Sequence, residues 1–305
     1  MGERAASRFE QETALLANPA CRGMAAGNGP VRPQADHPCG AAIRVLRHCH
    51  TTYHGACALA LLFAATPLPA ADGLQLSTGF DYNRGKYGGD SPIEVAATVI
   101  QGRFERGPYV WQVTLPYLVL HGPGTLVGGG DSLEIVPAAG TQRHREAGFG
   151  DVVVSMNYAA FYDAQSGFAL DVGGRIKLPT ADSDRGLGTG KSDLALRLQA
   201  IRTWDRTSWM LGVGYQWTGR PSGTDYRNVG QASLAADHRL NEDTSLGAIV
   251  DFRQSVQPSQ PGQRELTLYL AHRLSRQWKI QTYVYGGASQ SSPDIGFGSM
   301  LSVQF

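Results

Sequence analysis

The sequence predicts an all-β fold: a 12-stranded antiparallel up-and-down transmembrane β-barrel, preceded by a signal peptide. Three observations carry this. Stretches of period-two alternation recur from about residue 74, as a wall with one face on lipid and one on a polar lumen requires. The connections between them alternate short and long. The chain also ends on an aromatic residue inside such a stretch, with Phe297, Ser299, Leu301, Val303 and Phe305 on one parity and Gly298, Met300, Ser302 and Gln304 on the other.

Composition sets the bounds. Charged residues are 17% of 305, and Gly is 38 of 305, above the usual share of roughly 7%. Glycine at that level, without a collagen period, suits many turns and smooth strand surfaces. No run of 18 apolar residues exists, which excludes helical spanning segments. A net charge of +1 gives no electrostatic case for nucleic acid.

Taken in order, residues 1–42 are Gly/Ala/Pro-rich and without periodicity, and read as a disordered leader or an extension upstream of the true start near Val45. Residues 43–71 read as the signal peptide. Arg44 and Arg47 precede a small-residue apolar run, Gly55–Thr66, and the segment leaves through Pro67-Leu-Pro-Ala-Ala71. Residues 72–305 are then the outer-membrane barrel. All four cysteines (Cys21, Cys39, Cys49, Cys57) precede residue 72, so the barrel must obtain its stability without disulfides. Six of the 27 basic and four of the 26 acidic residues also lie before it, leaving 21 against 22 and no basic stripe.

The strands follow one another with one exception to clean alternation. The first opposes Leu74, Leu76, Thr78, Phe80 and Tyr82 to Gln75, Ser77, Gly79, Asp81 and Asn83. The second, about 93–104, is that exception, because Ile100 and Phe104 break the parity of Val95, Ala97 and Val99. The third sets Tyr109, Trp111, Val113, Leu115, Tyr117 and Val119 against Gln112 and Thr114. The fourth begins near Val152, and the fifth sets Phe168, Leu170, Val172, Ile176 and Leu178 against Asp171, Arg175 and Lys177. Seven more run near 194–199, 208–217, 228–240, 244–253, 265–270, 278–284 and 297–305.

Short links fall near 105–108, 162–167, 203–207, 240–243 and 274–277. Long ones fall near 84–92, 120–147, 179–192, 218–227, 254–263 and 288–294. An even strand count with both termini on the turn side is the periplasmic-turn, extracellular-loop asymmetry of bacterial barrels. Trp111, Trp204, Trp209, Trp217 and Trp278 all fall on the outward parity near strand ends, as aromatic girdles do.

The inward parity carries Asp171, Arg175, Lys177, Arg197, Asp251, Arg253, Glu265 and Lys279, the candidate lumen-lining residues. Mixed charge either lines a polar channel or pairs and packs a narrow lumen shut. The long loop 120–147 either folds inward as a constriction or extends outward. Gly186-Leu-Gly188-Thr-Gly190-Lys191-Ser192 is no phosphate loop, since Arg185 stands where the first glycine belongs and a strand follows. His121, His144, His238 and His272 have no serine at nucleophile–base spacing, and no Cys/His/carboxylate group has metal-ligand spacing. His238 and His272, each in His-Arg-Leu before a tight turn, read as interfacial hydrogen-bonding residues. No catalytic, cofactor or metal residue is expected, and the chain is not read as an enzyme.

Gly148-Phe-Gly-Asp151, Lys177-Leu-Pro-Thr180, Gly188-Thr-Gly190 with Asp193, and Gly214-Tyr-Gln-Trp-Thr-Gly219 resemble the family of outer-membrane barrels named for the meta-pathway of phenol degradation. The resemblance covers most of 72–305. It implies the outer membrane of a Gram-negative bacterium and a transporter of small solutes. Where the family tends to have Pro-Thr-Gly, this chain has Ala181 after Thr180. Phe305 with Val303 also resembles the C-terminal signal read by the barrel-assembly machinery, with Met300 at its usual glycine position. The expected function is a passive outer-membrane channel for small, hydrophobic or aromatic compounds. The alternative is a structural or adhesive barrel with a closed lumen. Expected partners are outer-membrane lipid, the solute and the assembly machinery, and no nucleic acid.

Overall fold

The computed structural model describes residues 73–129, 133–138 and 145–305. The expected leader (1–42) and signal peptide (43–71) lie outside the described residues. The strands are β1 Leu74–Gly85, β2 Ile93–Arg106, β3 Tyr109–His121, β4 Gly124–Val127, β5 Glu134–Pro137, β6 Arg145–Phe149, β7 Val152–Asp163 and β8 Phe168–Leu178. There follow β9 Asp193–Trp204, β10 Thr207–Trp217, β11 Val229–Arg239, β12 Thr244–Arg253, β13 Gln263–Arg273, β14 Trp278–Gly287 and β15 Ile295–Gln304.

All but β4 and β5 form one antiparallel sheet. It closes because β1 pairs with β2 on one side and with β15 on the other, from Gln75↔Gln304 to Arg84↔Ile295. The last residue joins the seam: the Phe305 N–H donates to Leu74 O at 2.9 Å. Closure leaves no edge to satisfy in hydrocarbon, which is what permits strands to span a bilayer. β6 and β7 are two halves of a single position in the wall. β3 pairs with β6 through Tyr117–His121 and with β7 through Tyr109–Thr114. The wall therefore has twelve positions, as the sequence predicts.

Outward positions are apolar and exposed, among them Leu194, Leu196, Leu198, Leu211, Val213, Leu266, Leu268 and Leu270. A contiguous band of this kind is the lipid face. All five tryptophans are on it: Trp111, Trp204, Trp209 and Trp278 towards the tight turns, Trp217 at the loop end of β10. The tight turns use left-handed residues where required, at Gly107 (φ 56°) and Asp205 (φ 54°); aspartate is one of the few side chains that tolerate this region.

Two features differ from the expectation. The strand around 93–104 is apolar on both faces because its inward positions, Ile93, Val95, Ala97 and Val99, are covered from inside, while Ile100 and Phe104 face out. The 120–147 connection is also shorter than expected, since β3 runs on to His121 and its partner restarts at Arg145. The junction at Gly150–Asp151 interrupts the ladder opposite Pro116. The Gly150 N–H donates to Pro116 O at 2.9 Å. Because a strand residue directs its N–H and C=O to the same side, the N–H that proline lacks would have pointed into this break. A proline inside the sheet is tolerated there.

Candidate functional site

The lumen face is built by alternate residues of every wall strand. All eight candidate lumen residues project from that face, and they divide into groups. Arg197, Asp251, Arg253 and Glu265 line a cavity of about 50 Å³, together with Gln231, Ser233, Gln263 and Leu133. Asp251 and Glu265 stand directly opposite each other on β12 and β13. Like charges in that register repel, and the two arginines of the same cavity offset them. Arg175 donates to Gln216 Oε1 at 3.1 Å and lies within electrostatic range of Arg197 and Arg253. Asp171 stands opposite Gln199 of β9, and Lys279 is the second residue of β14, next to the 274–277 turn.

Lys177 belongs to the extracellular mouth. Its ammonium lies 2.9 Å from Asp151 Oδ2 and 3.3 Å from Asp193 Oδ2, and it donates to Thr189 Oγ1 at 3.0 Å. The side chains of Lys177, Asp151 and Asp193 are 2%, 2% and 6% exposed. The free carboxylate oxygens tie down the loops: Asp151 Oδ1 accepts the Ala181 N–H, and Asp193 Oδ1 accepts the Gly219 N–H. Glycines make room. A Cβ at Gly188 would sit 2.9 Å from Asp151 Oδ2, and one at Gly219 would sit 2.4 Å from Ser192 O. The residues that carry the family resemblance thus converge on this corner, and their chemistry here is architectural.

The β4–β5 hairpin folds inward across the mouth. On one side Leu126 and Ile135 pack against Ile93, Val95, Leu118 and Leu120 of the β2–β3 wall, with Leu187 from the β8–β9 loop. On the other, Val127 and Val136 pack against Tyr226, Val229 and Val256. Glu134 fixes the far end. Its carboxylate accepts the Ser255 hydroxyl at 2.6 Å and the Val256 N–H at 3.1 Å, and lies 4.0 Å from Arg253 Nη2. Burial, with the Glu134 charge adding to it, pushes the Tyr226 hydroxyl up from its ordinary value. Of the two expectations for this loop, the described residues follow the inward one.

Deeper in the lumen, one register row of six adjacent strands reads Asp81, Gly298, Tyr283, Tyr269, Gly247, Asp237. The two tyrosines lean away from each other. Tyr269 covers Gly247 and donates to Asp237 Oδ2 at 2.7 Å; Tyr283 covers Gly298 and donates to Asp81 Oδ2 at 3.0 Å. One row up, Tyr285 covers Gly296 and donates to Asp81 Oδ1 at 2.8 Å. The sequence lists these residues on the inward parity, but their alignment depends on the turn lengths between strands. A search for tyrosines and glycines of matching parity, once the registers are fixed, would have found them.

His238 and His272 face outward near the tight turns, with Nδ1 at 2.9 Å from Thr207 Oγ1 and Thr244 Oγ1. Among the described residues no group of His, Cys, Asp and Glu could hold a metal ion.

Residues 71–305 match the family described as "Putative MetA-pathway of phenol degradation". Among curated proteins none matches the chain. A crystal structure of an outer membrane channel from Pseudomonas putida F1 is 9% identical, with a TM-score of 0.61 over 78% of this chain and 97% of that one. The NanC porin (10% identity, 75% and 98% covered, TM-score 0.49) and the CymD monoaromatic hydrocarbon channel (10%, 77% and 88%, TM-score 0.43) are more distant. At such identities the first likeness shows the fold, and the other two carry no argument.

Proposed function

The chain belongs to the family described as "Putative MetA-pathway of phenol degradation" and is an outer-membrane β-barrel; from this we propose that it is a channel passing small, hydrophobic or aromatic solutes by passive diffusion. The observation that carries the reading is the inward face. It presents arginines and carboxylates on β9, β12 and β13 around a cavity, in a wall whose outer face is continuously apolar. A barrel serving only as an anchor has no need of opposed like charges on its inner face. Asp171, Arg175, Arg197, Asp251, Arg253, Glu265 and Lys279 line the passage in this reading, while Lys177 holds its rim. The β4–β5 hairpin is the constriction. Binding and orientation are the whole of the chemistry, and no bond is made or broken.

The test is single-channel recording of the refolded protein in planar bilayers, with phenol added to one side. Discrete conductance steps, partly blocked by phenol, are the expected result. A refolded barrel that carries no current returns the reading to a closed structural or adhesive barrel. Refolding itself is checked by heat-modifiable migration in detergent gels.

A further inference from the structure

We infer that the outer face of β1, β2, β3 and β6 carries a site for a phosphorylated glycolipid of the outer leaflet. Arg84 and Arg145 take its phosphates, and an apolar shelf beneath them takes its acyl chains. The inference goes beyond the channel reading and does not depend on it.

The last outward residue at the loop end of each strand is the one that meets the lipid headgroups. On β8, β9, β10 and β12 these residues are Leu178, Leu194, Trp217 and Phe252, all large and hydrophobic. On the arc from β1 to β6 they are instead one register row of polar groups: Arg84, Glu94, His121 and Arg145. The row faces outward, since Arg84 shares the parity of the exposed Leu76 and Phe80, and Arg145 that of the exposed Phe149.

The surface below the row has the profile of a lipid. Four residues deeper on each strand stand Phe80, Thr98, Tyr117 and Phe149, again in one row. The Tyr117 and Phe149 rings meet edge-on with centroids 5.4 Å apart. Between the two rows, Ala96, Val119 and Ala147 face outward with short side chains and leave a shallow shelf. Charge, then short aliphatic groups, then aromatics is the order in which a headgroup, its glycerol-level region and its chains would meet the wall.

Phosphate is the headgroup chemistry that fits. A guanidinium matches phosphate oxygens with paired N–H donors. Arg84 and Arg145 are both exposed and stand three strand spacings apart, roughly 14 Å between backbones. That separation suits a disaccharide with a phosphate at each end, and His121 between them adds a ring nitrogen. Glu94 does not cancel the row. Its Oε1 lies 3.8 Å from Arg84 Nε, longer than a hydrogen bond, and the Arg84 side chain stays 52% exposed. The carboxylate thus neighbours the arginine without occupying its donors.

The experiment titrates the refolded barrel in detergent with lipid A, a bisphosphorylated diglucosamine lipid, and reads the complex by native mass spectrometry. The wild type should bind lipid A about ten- to thirtyfold more tightly than its dephosphorylated form, and Arg84→Gln/Arg145→Gln should lose that preference. Arg264→Gln removes another exposed outward arginine, at the loop end of β13 and opposite Phe252, and should bind as the wild type does. Equal binding of the two lipids by the wild type overturns the inference, as does a double variant that keeps the preference. An equal loss in Arg264→Gln means surface charge at large and overturns the site. Glucosamine 1-phosphate, which has no chains, should not displace lipid A at equal concentration; full displacement overturns the shelf. Heat-modifiable migration checks that the variants fold. Should the double variant not fold, the wild-type comparison and the displacement decide. No current is read, so a barrel that fails to conduct leaves this test intact.

Discussion

On β2 and β3 the inward positions nearest the mouth are Ile93, Val95, Leu118 and Leu120; along β11 to β15 the inward row deeper in the lumen is aspartate, glycine and tyrosine. Both walls must present side chains to the barrel interior, and they do so with opposite means. The aliphatic wall has no polar partners to offer and is sealed by a segment brought in from the loop. The tyrosine wall satisfies its own polar groups strand to strand. Its bulk lies along the wall, so that interior volume there is set by glycine spacing. An inward face can therefore be closed by insertion or kept by lateral tethering, and this barrel uses each on a different arc.

The contrast depends first on the corner that joins the arcs. Lys177→Met would leave Asp151 and Asp193 buried without their cation, at a cost of about 3–5 kcal/mol. The variant should lose its heat-modifiable migration at a clearly lower temperature than the wild type; an unchanged transition would mean that the loops hold the mouth without the ion triad. Next comes the inserted hairpin. Glu134→Ala removes hydrogen bonds to a charged group, each worth about 1.5–3 kcal/mol. Release of the hairpin should raise single-channel conductance and expose 124–137 to protease, with little change in barrel unfolding. Conductance equal to wild type would place the constriction elsewhere.

A smaller effect separates the tyrosine wall from an ordinary one. Gly247→Ala should displace the Tyr269 ring and weaken its bond to Asp237, costing about 1–3 kcal/mol in denaturant unfolding. Gly102→Ala, whose nearest neighbour would be Leu76 Cδ2 at 3.8 Å, should be near neutral. Equal costs at the two sites would dissolve the distinction. Smallest is the exposed Arg185–Glu146 pair at the rim, 2.7 Å apart. Glu146→Gln should shift stability by no more than about 0.5 kcal/mol, and 0.5 M salt should erase the difference.

The barrel was legible because its signal is repeated: strands of ten or more residues, each carrying period two, with turn lengths that alternate. A lipid-facing leucine such as Leu268 and an inward Thr267 declare their faces without knowledge of any neighbour. What depended on neighbours was not legible. Val95, Ala97 and Val99 blurred the second strand because the segment that covers them lies some 30 residues downstream. The hairpin strands are four residues each, too short for a period to show. Lys177 carried the right parity, but its engagement with Asp151 and Asp193 follows from register across three strands. The tyrosine row likewise lies in the registers and not in any single stretch of sequence.

The Glu134 anchor also has a consequence in time. Its partner Ser255 lies 121 residues further along the chain, and the seam at Ser77 and Ser302 joins residues 225 apart. A loop contact of that span forms late, because the intervening chain must first be ordered. The cap can engage only once β12 is in place, and the seam only once β15 is. A growing sheet would thus remain unlatched at its mouth and open along its side until the C-terminal strands arrive. Shortening the chain ahead of β12 should leave an assembly intermediate with an unlatched cap and an open side.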